Sequence, residues 1–550
     1  MAAKSAQLRH IIVLLVCSCA FFVLGNGTVG LTNDNEVFYA QTAKEMIQHK
    51  TWMTPYIFGQ PQFEKPIFIY WLLRLGFLLF GTSSFGARFF PALFAVIGVL
   101  AVYSLGLIGF KDEKKAFLSG LILMSSAMYI GMAKTVFTDM FFSVLILLAL
   151  LFFFWGYINP QRKRLGFILC AVFIGLAVLA KGPLGLVIPV AIIGLFLLGK
   201  KDIKFLFCKD FILSFFVFLL VAGPWYILMI AQHGNGFIQE FFYNVNARRF
   251  VEAQHTSNNT WNFYLLTIIT SMFPWSLFVA AVLFLLPRYI FKKDDPFYLF
   301  LTCYAAAIFL IFQLASSKVA NYIFPIFPAL ALFTGNFIAD RLADTGHKRL
   351  LKSLCFGTLF FILLFPIGFT VSFNIYREYI VYKLPVYLLI AGFLLLSAFM
   401  LRVILSGRLQ NFIFCLVAVM PIFLVNLPLL HKNFESYISS KEACEYLLNN
   451  FQVNNTILCS KFFVRGIKYY TDKEVAIINI GGKPFFSRHP LLALDSREKV
   501  KDFLYKQGTT YCILSKSSFK TIKDIIPEGN VTLLKLAGNE YVVKVELPRS

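Results

Sequence analysis

Residues 31–71 decide how this chain is organised; they read LTNDNEVFYAQTAKEM (31–46), then, after IQHK, the turn-rich TWMTPYIFGQPQ (51–62), then FEKPIFIYW (63–71). The stretch follows directly on an apolar segment that ends near Gly25. It gathers acidic side chains that are scarce before the tail: Asp34, Glu36, Glu45 and Glu64. Carboxylates at the edge of a bilayer are costly to keep unless they bind or react with something. We therefore predict that the chemistry of the protein lies at this loop.

Composition sets the class of protein. The 550 residues are 58% hydrophobic and only 14% charged, and apolar runs of about 20 residues recur, as in polytopic α-helical membrane proteins. The formal net charge is +23. The Lys and Arg residues lie in short clusters between apolar runs, which is typical of cytoplasmic loops. The charge therefore indicates membrane topology, and we expect membrane lipids but no nucleic acid among the partners.

The basic loops also predict the orientation. The apolar run from Ile67 to Gly81 is short for a crossing and contains Arg74, so we place it as a juxtamembrane helix; a crossing there would turn the basic loops outward. This choice gives about thirteen transmembrane helices, and the first helix starts in the cytoplasm. The predicted spans are 11–25, 86–109, 115–132, 137–157, 165–180, 183–199, 211–231, 263–290, 297–314, 319–340, 351–373, 384–402 and 410–429.

Two domains follow from the change of composition near Ser439. Residues 1–431 form the transmembrane domain, with an outer first loop at 26–85, and residues 432–550 form a small α/β domain. The tail predicts helices at 441–451 and 497–507 and strands at 456–459, 475–480 and 511–514, followed by a final pair of strands within 531–547. An odd number of crossings places this domain outside the cytoplasm.

The ten cysteines favour buried thiols, because most lie in apolar spans and none forms a Cys-x-x-Cys pair. Cys444, Cys459 and Cys512 in the tail permit at most one disulfide, and the sequence leaves that pairing open.

Polar residues from distant segments should meet on the outer side of the membrane. A carboxylate that takes a proton and cations that hold a phosphate suit the transfer of a group away from a phosphate leaving group. The predicted members are Asp34, Glu36, Glu64, Lys65, Asp139, Lys181, Arg248, Arg249, His255, Lys318 and Tyr322.

Several motifs carry a family resemblance. The run from Asn35 to Met46 is followed in order by FEKP (63–66), FTDM (137–140), KGP (181–183), GPW (223–225), AQH (253–255) and SSKVANY (316–322) with PIFPALAL (325–332). Over about residues 10–335 the chain resembles the aminoarabinose transferases that modify lipid A. These belong to the polytopic GT-C glycosyltransferases, which use polyprenyl-phosphate sugars and include the protein O-mannosyltransferases. The tail is similar only in being a small outer α/β domain.

The resemblance implies roles for single residues. An acid of the first outer loop acts as the base, but the usual Asp–Glu pair is Asn35–Glu36 here. Either Asp34 or Glu36 then carries the role, and we favour Asp34. Asp139 matches the second acid. Glu64 and His255 match a pair that binds a divalent metal such as Zn or Mg, and Lys65 matches a lysine that contacts the phosphate.

Other residues match family positions that line the site, namely Lys181, Arg249, Lys318 and Tyr322. Each of these residues also has a simpler interpretation. Asp34 and Asp139 are suited to capping helices, and interfacial Lys and Arg side chains often reach towards lipid headgroups.

The predicted function is inverting transfer of a sugar, aminoarabinose-like or another, from a polyprenyl phosphate to lipid A or another acceptor. The predicted location is the inner membrane of a bacterium, with the active site facing the periplasm. We expect a monomer that needs no nucleotide, since no phosphate-binding loop or dinucleotide motif is present. The alternative is a transporter or flippase of lipid-linked sugars. We find no repeated halves of the kind that transporters show, and the acids lie at span ends.

Overall fold

The structure, a computed structural model, describes residues 2–33, 35–247, 260–290, 295–344, 348–377, 380–481, 491–527 and 529–548. Four residues predicted to belong to the site lie outside this part of the chain: Asp34, Arg248, Arg249 and His255.

Helices dominate the chain up to Ile438. Their bounds are α1 Ala2–Phe22, α2 Glu36–Gln48, α3 Phe68–Phe80, α4 Ser84–Phe110, α5 Glu113–Met124, α6 Ala127–Ala133, α7 Thr138–Ile158, α8 Lys163–Lys181, α9 Leu184–Gly199, α10 Lys209–Phe237, α11 Phe263–Ser271, α12 Ser276–Ile290, α13 Pro296–Gln313, α14 Phe327–Ala343, α15 Lys348–Ile375, α16 Leu384–Leu405 and α17 Leu409–Ile438. Short 3-10 helices lie at Pro160–Arg162, Ile203–Leu206 and Ala320–Ile326, and a π-helix at Ile238–Ala247 continues α10.

The chain is a polytopic helical protein. In the described residues ten helical segments are long and apolar enough to cross a membrane, and the bent pair α5–α6, which turns by 64°, raises the number to 11. The predicted spans at 183–199 and 263–290 correspond to shorter helices, α9 and the pair α11 and α12. The full set of about thirteen crossings stays a prediction.

Polar residues at the helix starts explain several of the boundaries. The Ser83 hydroxyl accepts a hydrogen bond from the Gly86 amide at the start of α4, and Asp112 and Asp295 accept from the first amides of α5 and α13. These side chains satisfy amides that have no partner within the helix. The apolar faces of these helices pack into one core that runs from Leu14 to Met420 and includes Tyr469 of the C-terminal part.

Arg74, the charge in the short apolar run, is buried rather than exposed to lipid. Its guanidinium donates to the carbonyls of Met46 and Thr51 and lies 3.9 Å from the ring centroid of Trp52. The arginine therefore fastens α3 to the C-terminal end of α2. These contacts hold α3 against the C-terminal end of α2 and the residues that follow it.

The C-terminal part is an α/β domain with one six-stranded sheet. Its helices are α18 Lys441–Asn450, α19 Val464–Thr471, α20 Arg497–Gln507 and α21 Lys516–Ile525, and its strands are β3 Ile457–Ser460, β4 Val475–Ile478, β5 Leu492–Leu494, β6 Thr509–Leu514, β7 Val531–Ala537 and β8 Glu540–Glu546. A two-residue pair, β1 Tyr56–Ile57 and β2 Gln60–Pro61, lies in the first loop.

The sheet order is β5-β4-β3-β6-β8-β7. The first four strands in this order are parallel. Strand β8 pairs antiparallel with both β6 and β7.

Cys444, Cys459 and Cys512 are buried free thiols in this domain. The question that the sequence left open is thus answered, because none of the three forms a bridge. Burial raises the pKa of each thiol.

Candidate functional site

Asp139 and Lys181 form a buried ion pair between two helices of the bundle. Asp139 lies in the first turn of α7, where the helix dipole favours a carboxylate, and Lys181 is the last residue of α8. Lys181 Nζ lies 2.5 Å from Asp139 Oδ1, with the side chains 10% and 4% exposed respectively. Gly182, at φ +77°, then turns the chain into α9. A left-handed backbone of this kind favours glycine.

The SSKVANY segment completes the surroundings of this pair. Asn321 Nδ2 donates to Asp139 Oδ2 over 2.9 Å, so both carboxylate oxygens have a partner. Lys181 Nζ lies 5.0 Å from the ring centroid of Tyr322 and 5.1 Å from that of Phe142. Lys318, 4% exposed, donates to the Thr260 carbonyl over 3.2 Å. The structure thus brings together Asp139, Lys181 and Tyr322, which the sequence predicted, and adds Asn321.

Tyr39 of α2 connects this cluster to the first loop. Its phenol is buried, and this burial is the main cause of its raised pKa. The negative charges of Asp139 and, to a smaller extent, Glu64 raise the pKa further. Tyr39 therefore lies within the electrostatic reach of both carboxylates. Its ring centroid is 6.2 Å from that of Tyr70, whose hydroxyl accepts a hydrogen bond from Gln62. Two phenols and two carboxylates consequently share one region.

Glu64 and Lys65 lie in the turn between β2 and α3 and are half-buried. The Glu64 amide donates to Gln62 Oε1 over 2.9 Å, which fixes the backbone of the turn. The Glu64 charge contributes to the raised pKa of both Tyr39 and Tyr70.

A metal ion would find only part of a ligand set here. No group of three His, Cys, Asp or Glu side chains in the described ranges can hold a metal. Glu64 offers one carboxylate, and its predicted partner His255 lies outside those ranges. Since structural and catalytic zinc sites need three or four protein ligands, the described residues do not form a complete site, and the mechanism below uses no metal-dependent step.

Glu36, the other candidate for the base, is fully occupied. Its carboxylate accepts from Arg88 Nε over 2.8 Å and from Arg88 Nη2 over 2.6 Å. It also accepts from the amide and hydroxyl of Thr32 and from the Val136 amide. This carboxylate is 0% exposed. A carboxylate with five donors and no exposure favours a positioning role over proton transfer.

Arg88 holds the first loop from the side of the bundle. Besides Glu36, its guanidinium donates to the carbonyls of Asn26, Val29 and Gly30 over 3.1, 2.7 and 3.0 Å. Arg88 lies within the predicted span 86–109 and was given no role there. An arginine beside apolar residues with no basic neighbours was the available signal. Asn321 and Tyr39 were quoted within motifs but were given no role.

A separate cavity of about 650 Å³ opens within the apolar part of the bundle. It is lined by α6, α11, α12, α15 and α17, with side chains such as Ile130, Leu277, Phe361 and Phe423. None of the Asp139 cluster lines it. Its lining suits hydrocarbon rather than sugar.

Comparisons with known proteins place these features in a family. Residues 64–227 match the family model described as dolichyl-phosphate-mannose-protein mannosyltransferase. An uncharacterized protein of Aquifex aeolicus (strain VF5) is 31% identical over 361 residues, 64% of this chain and 79% of that protein. The undecaprenyl phosphate-alpha-4-amino-4-deoxy-L-arabinose arabinosyl transferase of Edwardsiella ictaluri (strain 93-146) is 28% identical over 326 residues, 59% of this chain.

The match spans 58% of the length of that arabinosyl transferase, so the similarity in sequence is partial. The similarity in fold covers more of the chain than the similarity in sequence. The crystal structure of ArnT from Cupriavidus metallidurans bound to undecaprenyl phosphate superposes with a TM-score of 0.78 at 18% identity, over 97% of each chain. The C-terminal domain is thus included in the shared fold, although the sequence motifs end before it. The protein belongs to the aminoarabinose transferase-like family of polytopic GT-C glycosyltransferases.

Proposed function

We propose that this protein transfers a sugar from a polyprenyl-phosphate carrier to an acceptor on the periplasmic side of a bacterial inner membrane. The observation that carries the proposal is the buried Asp139–Lys181 pair, which lies beside Tyr322 and Asn321. The charges of Asp139 and Glu64 both raise the pKa of the nearby Tyr39 phenol. Relatives named for undecaprenyl-phosphate arabinose transfer support the donor class, and the fold is that of a protein crystallised with undecaprenyl phosphate.

In the proposed reaction, an acceptor oxygen attacks the anomeric carbon of the donor sugar. The bond between that carbon and the phosphate oxygen breaks, and polyprenyl phosphate leaves with the electron pair. The acceptor proton passes to a carboxylate, which we assign to Asp34, because Glu36 is already occupied by Arg88. Displacement in one step inverts the configuration at the anomeric carbon.

The cations hold the leaving phosphate. Lys65 and Lys181, with Arg249, are assigned to its oxygens, where they stabilise the negative charge that grows as the bond breaks. Lys181 also holds the Asp139 carboxylate in place in the absence of donor, since the two groups are in direct contact. Asp139 then orients the acceptor opposite Asp34, and Lys318 and Tyr322 line the pocket. Glu64 with His255 would hold a divalent cation near the phosphate.

The finer features of the function are part of the proposal. The sugar is aminoarabinose or a related sugar, and the acceptor is lipid A or another lipid or glycan of the outer leaflet. About thirteen crossings would put the C-terminal domain and the site on the periplasmic side. The protein is proposed to act as a monomer and without a nucleotide.

Asp139→Asn tests the proposal, and we expect it to lower the transfer rate by a factor of at least about 100. The change keeps the shape and the contact with Asn321 but removes the charge that faces Lys181. Purified protein in lipid is given a fluorescent polyprenyl-phosphate sugar, and binding and transfer are measured separately. Donor binding should be retained within about threefold.

The matched control is Asp340→Asn, because Asp340 forms an ion pair with Lys115 far from the site and is 47% exposed. It should transfer sugar at the wild-type rate. Mass spectrometry of envelope lipids and glycans, with and without the protein, identifies the product. Lipid-linked sugar that crosses the bilayer with no new glycosidic bond would overturn the proposal in favour of a flippase.

A further inference from the structure

The end of α17 and the C-terminal domain together hold the backbone of the first loop just before α2. The Gly30 amide donates to Glu435 Oε1 over 2.7 Å, and the Leu31 amide donates to the Tyr470 hydroxyl over 2.7 Å. The Asn33 amide donates to the Ile438 carbonyl over 2.8 Å. Three amides in four residues are thus bound by groups from the far end of the chain. A Cβ on Gly30 would lie 2.6 Å from Ser439 Oγ, which leaves no space for a side chain.

The Asn33 side chain contacts two buried residues of the C-terminal domain, Ser440 and Glu540. Asn33 Nδ2 donates to Glu540 Oε1 over 3.3 Å, and the Ser440 hydroxyl lies 2.6 Å from the same oxygen. The Ser440 amide donates to Asn33 Oδ1 over 3.2 Å. Glu540 is 1% exposed, and its second oxygen, Oε2, is buried without a hydrogen-bond partner. A buried carboxylate in this state is costly unless it carries a proton.

The same loop is also held by groups of α2 and α4. Arg88 binds the carbonyls of Val29 and Gly30, and Glu36 accepts from Thr32. Residues 29–33 are therefore bound both by Arg88 and Glu36 and, through Asn33, by Glu540. The position that follows, 34, is the one assigned to the base.

We propose that Glu540 is a positioning residue for sugar transfer: through Asn33 and Ser440 it sets the conformation of the first loop, and its protonation state controls how firmly the loop is held. This inference rests on the proposed function, since it gives the C-terminal domain a part in that reaction. Glu540 touches neither substrate nor the reacting atoms in this scheme.

The sign of the pH dependence follows from the environment of Glu540. Burial raises the pKa of its carboxyl to about 7, the hydrogen bonds from Ser440 and Asn33 oppose the rise, and the charge of Glu442 adds to it. Among the described residues, the thiols of Cys444 and Cys459 also interact with the Glu540 charge. Because burial in the contact with Asn33 and Ser440 raises the pKa of Glu540, protonation of Glu540 stabilises this contact. The contact is therefore strongest at low pH and weakens as pH rises from the normal carboxyl pKa to about 7.

Hydrogen exchange of the full chain in lipid tests the contact without any substrate. After correction for the intrinsic exchange rate, we expect protection of the amides of Gly30, Leu31 and Asn33 to fall about tenfold between pH 6 and pH 8. Glu540→Gln keeps the acceptor oxygen and stays neutral, so its protection should not change with pH. Glu546→Gln on the same strand is the control, because Glu546 is 56% exposed, and it should behave as wild type.

Transfer rates then test the link to catalysis. A general base alone makes transfer faster at higher pH, whereas weakening of the Glu540 contact slows it. The ratio of the Glu540→Gln rate to the wild-type rate should therefore rise about tenfold from pH 6 to pH 8, with donor binding unchanged.

Two outcomes overturn the proposal. Protection of the loop amides that is equal in wild type and Glu540→Gln at both pH values would show that Glu540 does not control the loop. Parallel pH profiles of transfer in these two proteins would show that the contact does not position the reaction. If wild type transfers no sugar at any pH, the proposed function fails, while the exchange measurement still decides whether Glu540 holds the loop.

Discussion

Two buried ion pairs near the first loop differ in how fully their carboxylates are occupied. Glu36 accepts five hydrogen bonds, two of them from Arg88, and no oxygen remains for a substrate. Asp139 has one bond from Lys181 and one from Asn321, and both partners are side chains that can rotate. A ligand can therefore displace the partners of Asp139 at a lower cost in free energy than the partners of Glu36. The Asp139–Lys181 pair is thus suited to reaction, and the Glu36–Arg88 pair to structure.

Arg88→Met is predicted to destabilise the protein by about 3–5 kcal/mol, because it leaves the Glu36 carboxylate buried and unpaired. Equilibrium unfolding in mixed micelles measures the change. Lys44→Met is the matched control: it removes an ion pair to Asp472, whose side chain is 53% exposed, and should cost less than about 1 kcal/mol. Equal losses in the two variants would contradict the structural role assigned to the Arg88–Glu36 pair.

Single elements of the first loop are positioned by close backbone approach as well as by charge. Helices α3 and α4 cross where Gly76 faces Gly86, and a Cβ on Gly76 would lie 2.2 Å from the Gly86 carbonyl oxygen. Small residues at such crossings let two membrane helices approach closely. Together with the Arg74 contacts to α2, this crossing determines where FEKP lies relative to the bundle.

Gly76→Ala is predicted to push α3 away from α4 and to cost about 1–3 kcal/mol of stability. It should also lower transfer, because Lys65 and Glu64 precede α3 directly. Thermal unfolding and the transfer assay check both effects. Gly194→Ala in α9 is the comparison, since a Cβ there meets nothing within 4 Å. A wild-type result for Gly76→Ala would show that α3 can shift without consequence.

At the scale of the whole molecule, local patterns predicted much of the fold. The apolar runs marked the long helices, and the alternation of strands and helices after residue 440 predicted most elements of the α/β domain, because each is a property of neighbouring residues. It did not predict β5 Leu492–Leu494 or α21 Lys516–Ile525. The contact between Asn33 and Glu540 joins residues 507 positions apart and leaves no periodic trace in the sequence. The family motifs predicted that Asp139, Lys181 and Tyr322 lie close together. They did not indicate that Arg88 binds the Glu36 carboxylate, which was considered as a possible base.

The predicted topology has a direct test. Alkaline phosphatase is active only outside the cytoplasm, so a fusion after Ser550 should be active if the number of crossings is odd. A fusion after Lys204, in a basic loop predicted to be cytoplasmic, should be inactive although it is made in the same amount. The reverse pattern would place the C-terminal domain in the cytoplasm and would end the assignment of the site to the periplasm.

The contact of Gly30 with Glu435 spans 405 positions, and this has a consequence for biosynthesis. While the ribosome is still adding the early helices, the nascent loop has none of the partners that it finds in α17 and beyond. It acquires them only when the last membrane helix has left the translocon and the tail has folded against it. Assembly of the first loop is thus delayed until translation is nearly finished.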